Sequence, residues 1–125
     1  MMANRNLILS GTGKEYLDIL CDRLDVERPQ GLKIAFAKGI SNAQGNVSVT
    51  QNEGNKQNWA IPDGIIREKE YLLFKHLIIN ELQTSLSDDE VNKQMLNYME
   101  FGLRVISNEL KQLSSMEDYR IKVLS

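Results

Sequence analysis

The chain has 125 residues, with 15 basic against 17 acidic side chains and a formal net charge of −2. That length suits one domain, residues 1–125, with a single modest core, and an apolar share of 42% sets aside a disordered or fibrous class. No run of about 18 apolar residues occurs, so no membrane contact is expected. The first ten residues, "MMANRNLILS", hold too short an apolar stretch for a secretory signal, and the expected compartment is the cytoplasm.

In chain order, "NLILS" (6–10) is short, apolar and followed by turn residues, which predicts a brief strand. "TGKE" offers a capping box, Thr12 accepting from the amide of Glu15, ahead of a helix over about 13–24. Tyr16, Leu17, Leu20 and Leu24 recur along it at helical spacing. "DVERP" breaks that helix, and Pro29 suits the first turn of a second one over about 30–40. Strand, helix, turn, helix is the order of a ribbon-helix-helix unit. The strand finds no partner within the first forty residues, so a second copy of the chain is one economical source of its hydrogen bonds.

Residues 41–64 are dominated by Asn, Gln, Gly and Ser and read as a long flexible loop, in which "VSVT" alternates like a scrap of strand. Trp59 near its end is expected to anchor the loop on the body; a ligand-gripping role is the sharper alternative. A third helix covers about 65–83. A fourth begins where Ser87 and Glu90 form a capping box and runs to about Leu113, leaving 114–125 as a tail. Gly102 inside it costs roughly 1 kcal/mol relative to alanine, which a close helix crossing would justify if the glycine is not incidental. The expected fold class is therefore mainly α: a short N-terminal strand and about four helices, ribbon-helix-helix-like and oligomeric.

The second helix carries the clearest functional hint. On a wheel of about 100° per residue, Leu32, Ala35, Phe36, Gly39 and Ile40 form one apolar face, with Lys33 and Lys38 beyond it on either side. Between the lysines lie Ile34 and Ala37, on the face that should have been polar. A helix apolar on two sides is buried on two sides, one of them against a partner subunit. The lysines then emerge at the seams, stems buried and ammonium groups in water. The third helix shows a similar excess, so self-association is expected. In a symmetric assembly Arg23, Lys33 and Lys38 repeat once per subunit, and their phosphate contacts add.

Catalytic chemistry has little to stand on. Cys21 and His76 are each the only residue of their kind, too few for a structural zinc site. Cys21 falls in a predicted helix as a small hydrophobe, and His76 on a polar side. A dyad of the two is the sharper alternative. "SGTGKE" superficially resembles a phosphate-cradling loop but lacks the GxxxxGK[ST] spacing. The acid pairs Glu68/Glu70 and Asp88/Asp89 sit at helix starts, where negative charge suits the dipole. No enzyme, cofactor or metal is expected.

The segment "LSGTGKEYLDILCDRLDVERPQGLKIAFAKGI" resembles the N-terminal half of the DndE family of DNA sulfur modification proteins. The shared pattern is Leu9-Ser10, Glu15, Leu17, Leu20, Arg23, Pro29, Lys33, Ala35-Phe36, Lys38 and Ile40. "YMEFGLRVISNEL" is similar to the family's closing helix, where an acid and a glycine precede an aliphatic stretch. The resemblance covers residues 4–40 closely and 91–113 loosely. It implies a non-catalytic, tetrameric subunit of the bacterial machinery that replaces a non-bridging phosphate oxygen with sulfur. It also implies binding of double-stranded, preferentially nicked DNA through surface cations, alongside other sulfur-modification proteins. Arg23, Lys33 and Lys38 match the family's basic positions; Lys14 and Arg28 are DNA-binding candidates from position alone.

Two other readings compete. A ribbon-helix-helix repressor or antitoxin would read bases through Asn4, Arg5 and Asn6, although "NLILS" is apolar for that purpose. A pure interaction scaffold would use its apolar helices for protein partners and leave the lysines idle.

Overall fold

Two helices in this protein approach until their backbones touch, and the other elements are arranged around that crossing. The computed structural model describes residues 7–43, 58–62 and 64–112. Its elements are β1 (Ile8–Leu9), α1 (Gly11–Leu24), α2 (Arg28–Asn42), β2 (Trp59–Ala60), α3 (Glu68–Leu82) and α4 (Asp88–Gln112). The protein is mainly helical, with one short antiparallel sheet. Among the described residues no helix is long and apolar enough to cross a membrane.

The strand at the N-terminus forms as expected, but its partner is in the same chain. Ile8 pairs with Ala60 and Leu9 with Trp59, and the Ile61 amide donates to the Leu7 carbonyl at 2.8 Å. The ladder bonds expected from a second copy are made by Trp59 and Ala60, so the 41–64 segment expected to be a flexible loop holds a strand near its end. "VSVT" and the tail 114–125 lie outside the described residues.

The start of α1 corrects the expected cap. Ser10, not Thr12, is the N-cap: its hydroxyl accepts from the Gly13 amide at 2.9 Å, and Thr12 is buried within the first turn. Asp25 closes α1 in the left-handed region, which aspartate tolerates better than most residues. Three residues later α2 begins at Arg28, with Pro29 in its first turn, where a missing N–H leaves nothing unsatisfied. A turn in which the Ile65 amide donates to the Pro62 carbonyl delays α3 to Glu68. The capping box of α4 forms as read: Ser87 N–H donates to Glu90 Oε1 at 3.0 Å, and Glu90 N–H to Ser87 Oγ at 3.3 Å.

The core lies between α2 and α4, with α1 and α3 closing its sides. Phe36 stacks on Phe74 of α3 with centroids 4.1 Å apart and meets Tyr98 of α4 edge-on at 6.1 Å. Leu17, Leu20, Leu32, Ala35, Ile78, Met95, Met99 and Leu103 are buried around them. Above this layer Gly39 and Gly102 face each other. A methyl group on Gly102 would overlap the Ala35 carbonyl oxygen and come within 2.8 Å of Gly39 N; one on Gly39 would overlap the Tyr98 carbonyl oxygen. The crossing is thus built on two glycines, and Gly102 is not incidental.

Alanine at position 102 recovers about 1 kcal/mol of helix propensity. It also drives two helix backbones apart, and overpacking of this kind costs about 1–3 kcal/mol or more. Gly102→Ala is therefore expected to lower the urea midpoint. A midpoint equal to the parent's would show that the helices separate at no cost.

Candidate functional site

The five cations singled out from the sequence fall into three places. Lys14 on α1 and Arg28 at the start of α2 converge on one carboxylate, Asp18, at 2.9 and 3.1 Å. The same two cations stand 5.7 and 5.5 Å from the centre of the Trp59 ring. Trp59 is half-buried against the core, so this cluster fastens β2 to α1 and α2. Burial pushes the Asp18 carboxyl up, but hydrogen bonds and charge from Lys14 and Arg28 together outweigh it and hold the group below its ordinary value. An open cleft lined by Asp18 and Arg28 is also lined by Asp22, Asp25 and Glu27, so Arg28 sits in a negative setting.

Lys33 and Lys38 stand apart from that cluster. Lys33 pairs with Glu70 at the start of α3, and Lys38 with Glu109 on α4 at 3.0 Å. Both ammonium stems remain accessible, at 45% and 32% exposure. Lys33 heads the influences that hold the Glu70 carboxyl below its ordinary value, followed by the Arg67 amide. Between the lysines the outer face of α2 is open: Ala37 is exposed and Ile34 half-buried. Arg23, exposed in the last turn of α1, has no ion pair among the described residues.

Two groups of residues were missed in the sequence. The first is a buried charge, Glu100, wholly enclosed at 0% exposure. It accepts from Ser10 N–H at 2.8 Å, from Ser10 Oγ at 2.9 Å and from Arg104 Nη1 at 2.7 Å. A Cβ on Gly13 would overlap its Oε1, so glycine there admits the carboxylate to the N-terminus of α1. "SGTG" thus does cradle an anion, one supplied by its own chain. The second group is Tyr16 with Arg104 and Lys111 of α4, which stand 5.9 and 6.0 Å from its ring centre. Only the acid-then-glycine of "YMEFG" hinted at the first, and nothing in the spacing pointed to the second.

Cys21 packs against α2: a Cβ on Gly31 would lie 2.7 Å from its sulfur. Burial, then the Asp18 charge, push the thiol up, away from the thiolate that nucleophilic chemistry needs. His76 is exposed on α3. Among the described residues no three metal-ligating side chains gather.

Comparison with known proteins finds no matching family model, curated protein or solved structure.

Removing one partner of a buried charge pair typically costs about 3–5 kcal/mol, whereas losing an N-cap hydroxyl costs about 1 kcal/mol. Glu100→Ala should therefore destabilise several-fold more than Ser10→Ala in parallel denaturant titrations. Equal losses would mean that Glu100 acts only as packing. Asp18 has a lowered folded-state pKa, so its contribution is present above the ordinary aspartate range and is lost as pH falls through the folded value. Its pairs are partly exposed and screened, so Asp18→Asn should cost at most about 1 kcal/mol near pH 7. That difference from the parent should shrink in acid; a pH-independent gap would argue against the ion pairs.

Proposed function

We propose that this chain is a non-catalytic, DNA-binding subunit of a bacterial DNA phosphorothioation system, working in the cytoplasm as an oligomer. The observation that carries the reading is the setting of Lys33 and Lys38. They flank an α2 whose outer face is open, and each is held by a single partly exposed carboxylate. Surface pairs of this kind contribute about 0–1 kcal/mol, so exchanging Glu70 or Glu109 for a DNA phosphate costs little. Counterion release then favours the exchange.

The DndE-like pattern over residues 4–40 supports the specific system, and Arg23 adds a third cation at a matching position. Sulfur transfer in this reading belongs to partner proteins. Self-association is supported by α3, which leaves Leu72, Leu73 and Leu77 exposed at 45%, 55% and 39%. Repetition of the lysines in a tetramer raises their number without changing the net charge per chain. A sequence-reading repressor gains nothing from β1, whose described pairing lies within the chain.

Fluorescence anisotropy with nicked and intact duplex, repeated over a range of salt, tests the reading. Lys33→Ala/Lys38→Ala should weaken binding about tenfold or more and reduce the salt slope by about 2 for each subunit engaged. Unchanged affinity in a folded double variant would remove these lysines from the interface.

A further inference from the structure

One surface of the molecule combines an aromatic ring with cations from two helices. Tyr16 lies on α1 with Arg23 seven residues on, which places both on one stripe about 10 Å apart. Thr12, Ile19 and Leu20 complete that stripe, and none is acidic. Across the seam, α4 brings Arg104 and Lys111, again seven residues apart, to within 6.0 Å of the ring centre. The neighbouring positions on that side of α4 are Phe101, Val105, Asn108 and Gln112. Glu109 is turned about 140° away from Arg104 and pairs with Lys38. Glu15 and Asp22 are exposed on the outer side of α1, each about 100° round the helix from Tyr16 and Arg23 respectively, whereas Glu100 is enclosed and engaged with Ser10 and Arg104.

The geometry points to the α1/α4 seam as a second nucleic-acid contact, in which Tyr16 stacks on an unpaired base while Lys111, Arg104 and Arg23 take the flanking phosphates. This inference rests on the DNA-binding reading and gives it a ligand class, DNA with at least one base out of the stack. The ring is seated against the core and partly exposed, a fixed platform. Glu100 anchors the Arg104 guanidinium at 2.7 Å, so that cation is positioned before any ligand arrives. The cations stand at the outer limit of a cation–π contact and flank the ring loosely. A lysine in the last turn of α4 suits the helix dipole. That alone does not explain the ring between two cations. Base stacking on an aromatic ring combined with phosphate-tracking cations is how single-stranded nucleic acid is held without sequence preference.

The experiment compares intact duplex with a gapped duplex exposing unpaired bases, by anisotropy over a range of salt. Circular dichroism melts establish that each variant is folded, and Arg104 is left alone because it holds Glu100. The parent should prefer the gapped duplex. Arg23→Gln/Lys111→Gln, both on exposed positions, should lower gapped-duplex affinity about tenfold and flatten the salt slope by about 2. Tyr16→Leu should remove the preference for unpaired bases, with the salt slope unchanged, and Tyr16→Phe should restore it. Binding equal to the parent's in both Arg23→Gln/Lys111→Gln and Tyr16→Leu, with Lys33→Ala/Lys38→Ala still defective, overturns this inference and leaves the DNA-binding reading intact. A parent that binds neither duplex at low salt overturns both.

Discussion

The contact between Gly39 and Gly102 sets the distance between α2 and α4, and most other positions in the protein follow from that distance. With side chains at either place the helices would stand farther apart. Phe36 would then lose its edge-on contact with Tyr98, and Lys38 would move away from Glu109. The same crossing brings α4 across the start of α1, so that Glu100 reaches Ser10. Two residues without side chains thereby connect the hydrophobic packing to the polar arrangement at the other end of α4.

Glu100 is the less expected consequence. A carboxylate wholly removed from water is costly unless its lone pairs are filled and its charge opposed. Here the amide and hydroxyl of Ser10 fill lone pairs, Arg104 opposes the charge, and the positive end of the α1 dipole lies adjacent. The resemblance of "SGTGKE" to a phosphate-binding loop therefore has a physical basis. Small residues at a helix start do admit an anion closely, and in this chain the anion comes from α4. An occupied helix terminus of this kind stabilises the fold and is closed to an outside phosphate. The phosphate contacts of the proposed function therefore fall elsewhere on the surface.

Local chemistry was readable from the sequence; long-range pairing was not. The four helices, the Ser87–Glu90 cap and the Pro29 start depend on neighbours within a turn, and each forms within a few residues of its expected bounds. The α1 cap was misplaced by two residues because the choice of Ser10 over Thr12 is made by Glu100, ninety positions away. The β1 partner was missed for the same reason: two residues of Trp59–Ala60 carry too little alternation to announce a strand. Lys33 and Lys38 were placed at the edges of α2 by periodicity, but periodicity carries no information about Glu70 or Glu109. Tyr16 shares the helical spacing of Leu17, Leu20 and Leu24 and is partly buried with them; its two cations come from a helix that begins seventy-two residues later.

The distribution of pairs decides where an acidic protein can meet a polyanion. Lys14 and Arg28 share Asp18, and Arg28 lines a cleft with Asp22, Asp25 and Glu27, so a phosphate there would have to displace one acid and approach three more. Lys33 and Lys38 each give up one carboxylate, a smaller demand that repetition in an assembly would offset. At the α1/α4 seam Glu100 is already enclosed, and Lys111 and Arg23 have no ion pair among the described residues, with Glu15 and Asp22 lying one position from Tyr16 and Arg23 on the outer side of α1. Net charge is a sum over all these places and obscures the difference between them. A surface suited to a polyanion is one where carboxylates are buried with a partner or turned away, and on α4 Glu100 points inward and Glu109 pairs toward α2.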